Sequence, residues 1–349
     1  AGSIRIPAAF NGVTGLKPTF GRVPRTGVVP LADTLDHVGP MARSAADCAL
    51  LLEIIAGHTE SDRYSSDRPC DNYSTELTGD LSGLRIGVDD LDRYAYGGID
   101  AAQPTRFTDA LSLLARAGAT LSPVRIPMYE ETNAVTLVTL MAEAHSHHRT
   151  DLAWAWEDYG LGTRVVLSAG DSVTAADYLH AQRIRRLAQE ELTSLFDHLD
   201  LIVTPTSHLG APRLDQLSGL APFTELASVH TPYWSPLGHP VIAVPVGPTS
   251  ENTPLSISVC GPRWEEKLVL RAADAIQKQS THHWQQPPRW TADAIGADTE
   301  ANGVSLAPGP AEEAAASDGL RDRIRAATER LWEVQASTSA GTLPANSVG

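Results

Sequence analysis

Strands alternating with helices predict an α/β fold for this chain, with a mixed, largely parallel β-sheet covered by helices. Two stretches carry that prediction. Residues 84–88 form an apolar run of strand length, an amphipathic helix follows over 104–117 with Gly118 as its stop, and extended structure resumes over 121–126. Together these read as a βαβ unit. Farther along, Thr174 and Asp177 are spaced as a capping box that opens a long helix to about residue 198, and the apolar run 201–204 follows directly. Short strands over 241–246 and 255–259 complete the sheet-forming set.

The other elements follow from local chemistry. Ser44 stands three residues before Asp47, a second capping box, and 45–56 reads as a buried helix ended by Gly57. Residues 64–80 are polar and turn-rich, a surface connection. From 281 to 318 the composition shifts to Ala, Gly, Pro, Glu and Gln, the signature of a flexible linker. Asp318 then caps a last helix over 319–336. Its Leu320, Ile324, Ala327, Leu331 and Val334 form a narrow apolar seam barely two heptads long. A helix docking on its own domain accounts for that seam better than a partner contact does. The chain thus divides into a domain over 1–280, a linker, a helix, and a disordered tail over 337–349.

Composition bounds the function. A chain of 349 residues is long enough for one large α/β domain or two small ones. The formal net charge of −15 argues against a nucleic-acid surface, which needs clustered Lys and Arg. No apolar run approaches the roughly 18 residues of a membrane helix. Cys48, Cys70 and Cys260 lack any C-x-x-C spacing and fit reduced thiols, so a cytoplasmic protein is expected.

The chain opens AGSIRIPAAF, without an initiator Met. A serine nucleophile needs a base and backbone N–H groups aimed at a developing oxyanion, and Gly2 beside Ser3 allows a carbonyl to approach the main chain. The G-x-S-x-G elbow of α/β-hydrolases does not occur. Taken alone, Ser3 is an ordinary loop serine; its neighbours change the reading. Residues 1–43 resemble the amidase signature family, whose motif runs G-G-S-[IV]-R-x-P-[AS]-x-x-x-G-[VI]-x-G-[LF]-K-P-[ST]. Ser3, Arg5, Pro7, Ala8, Gly12, Gly15, Leu16, Lys17, Pro18 and Thr19 match it, as do Leu35, Asp36, Gly39 and Pro40. The resemblance resumes at 200–206, 238–247 and 261–270, and so covers about residues 1–280.

That resemblance implies the amidase signature fold and a Ser–cis-Ser–Lys triad with Ser3 as nucleophile. It implies an oxyanion hole from the backbone of Ala1, Gly2 and Ser3, with Ala1 where the family usually has glycine. In the family both triad partners lie upstream of the nucleophile, so the chain is expected to begin inside the motif and to be inactive by itself. The lysines present agree with this: Lys17 matches a position not used as the base, and Lys267 and Lys278 fall on a predicted surface helix. Arg5 is expected to brace the catalytic loop, and Asp36 to support it from behind. No metal or organic cofactor is implied.

Other residues carry weaker signals. His37 beside Asp36 is a poor base because Asp36 is a family position. Glu143, His145, His147, His148 and Asp151 crowd one segment, but without H-E-x-x-H spacing they read as a solvated helix face rather than a metal site. Tyr233 and Trp234 line the acyl pocket or belong to the core; the sequence leaves both open. The expected reaction is hydrolysis of a small-molecule amide to acid and ammonia, and the sequence is compatible with a homo-oligomer. The alternatives are the glutaminase-like subunit of tRNA-dependent amidotransferases and a non-catalytic remnant serving as a binding module. Ile6 stands where the amidotransferase group usually carries glutamine, and DHVGPM where it carries DQIGPF; both differences favour a general amidase.

Overall fold

The computed structural model describes residues 1–213, 217, 228–286 and 310–339. In chain order α1 (Arg5–Phe10) leads into β1 (Thr14–Lys17), and β2 (Met41–Ala42) precedes α2 (Ala45–Ile55). Next come β3 (Arg85–Val88), α3 (Gln103–Arg116) and β4 (Thr120–Pro123), then α4 (Tyr129–Trp154), α5 (Leu161–Ala169) and α6 (Ala175–Leu195). The rest are β5 (Leu201–Pro205), α7 (Thr231–Trp234), β6 (Val241–Pro248), β7 (Pro254–Cys260), α8 (Glu266–Gln277) and α9 (Pro310–Ser339).

The strands form one sheet in the order β2-β1-β6-β7-β5-β3-β4. The expected βαβ unit is present: β3 and β4 run parallel, joined through α3, and Gly118 at φ +103° ends that helix in the left-handed region. Thr174 and Asp177 form the reciprocal capping box that starts α6, and β5 then joins β3 in parallel register. Parallel pairing is confined to β5-β3-β4. The other neighbours, from β2 to β5, pair antiparallel; for β6 and β7 this follows from a connection too short for a crossover.

Side-chain alternation along the strands builds two cores. Leu201, Val203, Ile242 and Val259 point to the face covered by α2, α3 and α8, while Ile202, Val241 and Cys260 point to the face covered by α6 and α7. Two expectations about these helices need correcting. The helix over 45–56 buries only Ala45, Cys48, Ala49 and Leu52; Ile54 is 78% exposed, and Leu50 and Leu51 also face outward, because α2 is an outer layer with one side on the sheet. Conversely, the helix carrying Lys267 buries Val269, Leu270, Ala272, Ala273 and Ile276 and is a core element. Lys278 lies just past its end and pairs with Asp274 at 2.8 Å.

The last helix docks on its own domain. Leu320 and Ile324 pack with Leu140, Met141 and Val165, and Ala327 and Leu331 pack with Val135, Val138 and Ala181. Polar contacts fix the register: His180 bonds the Leu331 carbonyl at 2.6 Å and stacks on Trp332, whose indole N–H donates to Asp177 at 3.1 Å. The helix begins at Pro310, inside the stretch expected as linker, and a one-turn helix at His282–Trp284 stands at the start of that stretch. Residues 287–309 and 340–349, most of the expected linker and tail, lie outside the described residues. Ile324→Ala should lower stability by roughly 2–4 kcal/mol, the usual cost of a buried large-to-small change. An unchanged denaturation midpoint would show that the helix does not contribute to the fold.

Candidate functional site

Ser3 lies in the turn immediately before α1 and is exposed. Gly2 precedes it at φ +135°, and a Cβ there would collide with the Thr231 hydroxyl and the Ile6 side chain, so only glycine suits the position. The turn is tied down from two sides. The Ile6 N–H donates to the Gly2 carbonyl at 2.8 Å, and the Thr231 hydroxyl donates to the Ala1 carbonyl at 3.1 Å. Arg5, the first residue of α1, turns inward and is 1% exposed. Its Nη2 donates to the Thr231 carbonyl at 3.1 Å and to Ser235 Oγ at 3.0 Å, binding the turn to α7. Burial pulls the guanidinium down to about 9.

Behind the turn, β1 presents Lys17. Its ammonium donates to the carbonyls of His239 at 2.5 Å and Pro18 at 3.2 Å and meets His37 Nε2 at 3.3 Å. Because the Leu35 carbonyl, 2.7 Å from His37 Nδ1, only accepts, Nδ1 carries the proton and Nε2 accepts from Lys17. Burial pushes both groups well below their ordinary values. Both nitrogens of His37 are thus engaged. Asp36 accepts from the backbone N–H groups of Leu31 at 2.8 Å and Ala32 at 3.0 Å, closing the loop that faces Ser3; burial raises its carboxyl.

These groups surround a cavity of about 210 Å³ lined by Gly2, Ser3, Lys17, Arg25, Asp36 and His37. Its remaining wall is largely apolar: Val28, Val29, Leu31, Leu35, Val38 and Leu140. Ala1, Gly2, Arg5 and Asp36, the residues singled out with Ser3 from the sequence, line the same cavity as Ser3. Of the two readings left open for Tyr233 and Trp234, the structure gives the core. Both are 0% exposed, packed with Leu91, Ile126 and Tyr129, and neither lines the cavity, because α7 turns them under the sheet. What that helix offers the site is Thr231 and Ser235, whose short polar side chains carried no motif.

Of the acidic and histidine cluster on α4, expected as a solvated face, His147 and Asp151 are exposed, while Glu143, His145 and His148 are used internally. Glu143 accepts from Thr34 N–H at 2.9 Å, the Thr34 hydroxyl at 2.7 Å and Tyr178 at 2.6 Å. His145 bonds the Leu167 carbonyl, and His148 meets Tyr159 and the Pro30 carbonyl. Among the described residues, no three His, Cys, Asp or Glu side chains converge as metal ligands. Among them too, all three cysteines are free, and no helix is long and apolar enough to cross a membrane.

Comparison with known proteins matches this geometry to one family. The family model described as Amidase matches residues 1–270. An amidase of Pseudomonas putida is 34% identical over 293 residues, covering 82% of this chain and 62% of its own length. The A-type subunit of the glutamyl-tRNA(Gln) amidotransferase of Chromohalobacter salexigens is 35% identical over 311 residues, covering 82% of this chain and 63% of its own. The solved structure of the corresponding Thermotoga maritima amidotransferase subunit superposes with a TM-score of 0.66 at 32% identity, over 80% of this chain and 60% of that one. The chain thus spans less than two thirds of the length of these relatives.

Proposed function

The chain belongs to the amidase signature family, and on that premise we propose that it hydrolyses a carboxylic amide to acid and ammonia through an acyl-enzyme on Ser3. The observation that carries this reading is Ser3 itself: exposed, at a glycine-enforced turn, on the wall of a cavity. Ser3 Oγ attacks the amide carbonyl, and the oxyanion is held by backbone N–H groups of Ala1, Gly2 and Ser3. The C–N bond breaks as the departing nitrogen takes up a proton, and water then cleaves the Ser3 ester.

The family resemblance assigns the base to a lysine acting through a cis-serine, and the motif matches neither position within these 349 residues. Lys17 is a poor substitute: its amino group is engaged by the carbonyls of His239 and Pro18 and by His37 Nε2, all on the side of β1 behind the turn. No metal takes part, so EDTA should leave turnover unchanged; loss restored by zinc would contradict this.

The apolar stretch of the wall supports an uncharged aliphatic or aromatic acyl group, while Arg25 and Asp36 on the same cavity are the groups that would have to meet the α-carboxylate and α-ammonium of glutamine; the larger apolar share favours a general amidase over an amidotransferase component. The test is ammonia release from a panel of simple amides and from glutamine. The 349-residue chain is compared with an extended protein in which the N-terminal part of a related amidase is joined ahead of Ala1. Turnover of apolar amides by the extended protein alone is expected; robust turnover by the 349-residue chain would place the base within it, and glutamine as best substrate would favour the amidotransferase reading. Val29→Asp, at an exposed wall position, should raise KM for an aliphatic amide about tenfold by placing a carboxylate against it. An unchanged KM would remove that wall from the acyl site.

A further inference from the structure

On the face of the sheet that carries α7, three buried side chains form a continuous hydrogen-bonded line. Tyr129 Oη lies 2.5 Å from His230 Nδ1, His230 Nε2 lies 3.0 Å from His208 Nδ1, and His208 Nε2 lies 2.9 Å from the Asp90 carbonyl. The Asp90 carbonyl only accepts, so His208 Nε2 donates to it. With a hydrogen on His208 Nε2 and none on Nδ1, Nδ1 accepts from His230 Nε2–H and His230 Nδ1 accepts from the Tyr129 hydroxyl. Each of the three donors then meets an acceptor. The exposed Asp92 carboxylate stands 3.5 Å from His208 at the outer end. Tyr129 is held at the other end by stacking on Tyr94, with ring centroids 4.1 Å apart, and on Tyr233 at 5.4 Å. The backbone joins in, since His230 N–H donates to the Thr206 carbonyl and His208 N–H to that of Ser228.

The next residue after His230 is Thr231, which holds the Ala1 carbonyl through its hydroxyl and Arg5 through its carbonyl. We propose that Tyr129, His230 and His208 are positioning residues for the nucleophile turn, acting through Thr231 to hold Ala1–Arg5 in the conformation that presents Ser3. The inference rests on the reading of Ser3 as nucleophile. A turn held loosely still admits substrate but presents Oγ and the backbone donors in the wrong place, so the loss falls on kcat rather than on KM.

The test has two parts. Histidine nitrogen NMR on the 349-residue chain reads the protons directly: both His208 and His230 are expected with hydrogen on Nε2 and none on Nδ1, and hydrogen on His208 Nδ1 would break the line and overturn the proposal. In the amide-hydrolysing protein, Tyr129→Phe removes one hydroxyl and keeps the stacked ring, and His208→Phe removes the far link. Each is expected to lower kcat about tenfold, with KM within about twofold and Ile6 amide exchange about tenfold faster. Tyr73→Phe, which removes a buried hydroxyl far from the line, is the control and should leave kcat unchanged. Unchanged kcat in both Tyr129→Phe and His208→Phe would overturn the proposal while leaving the nucleophile intact. Turnover that survives Ser3→Ala would instead remove the nucleophile, and the positioning role with it.

Discussion

Ser3→Ala in the amide-hydrolysing protein is expected to lower kcat by roughly 10³-fold or more while leaving the melting temperature unchanged. The size follows from covalent catalysis. Without the hydroxyl no ester forms, and only substrate binding and the backbone donors remain to assist a water. The unchanged stability follows from the structure: Ser3 is exposed, and the contacts that hold its turn run through the backbone of Ala1 and Gly2 and the side chain of Arg5. Steady-state ammonia release and thermal melting on the same preparation check both halves. A loss of turnover accompanied by unfolding would mean that the serine was structural.

Acid should destabilise the fold well before its carboxylates are protonated. His230 and His239 are each 1% exposed. Burial holds the His230 ring well below its ordinary value, helped by His208 and Arg93 nearby, and brings His239 down to about 3. His239 donates from Nδ1 to the Gly261 carbonyl and stacks on Phe196, and among the described residues no carboxylate pairs with it. A base with a depressed folded pKa is neutral in the fold and protonated in the unfolded chain once pH drops below about 6.5. The unfolded state then binds more protons, so stability falls as pH falls, by roughly 2 kcal/mol for each ring by about pH 5. His37 adds in the same direction. Asp36 opposes it, because its raised carboxyl takes up a proton in the fold first and sheds the cost of a buried charge. The histidines outnumber it. Urea midpoints at about pH 7.5 and pH 5 decide the matter, and a midpoint that holds or rises on acidification would contradict neutral buried rings.

The parts of this fold legible in the sequence are those whose determinants are local. The Thr174–Asp177 box, the β3-α3-β4 unit and the seam of α9 all appear where side-chain chemistry or periodicity puts them. Elements set by tertiary contact were not legible. The helix α1 has six residues, a proline in its first turn and no side-chain cap; it exists because Arg5 is pulled inward by Thr231 and Ser235, more than 220 residues away in sequence. The helix α4 buries Thr132, Thr136 and Thr139 together with Val135, Val138 and Met141, so polarity does not mark its inner face. The inner face of α8 is partly alanine, which reads as neutral in a pattern yet fills the space against the sheet. At the site, the motif around Ser3 was plain, whereas the residues that hold it, Thr231 and Ser235, are short polar side chains whose importance lies only in where the fold brings them. The aromatic pair beside them stands out by size and proved to be core.

The mechanism requires a covalent intermediate on one named oxygen, Ser3 Oγ. The amide-hydrolysing protein should be quenched in acid during turnover of a simple aliphatic amide, and the peptide containing Ser3 examined by mass spectrometry. An acyl mass on Ser3, absent without substrate and absent in Ser3→Ala, is the expected result. An acyl group on another residue would contradict the account.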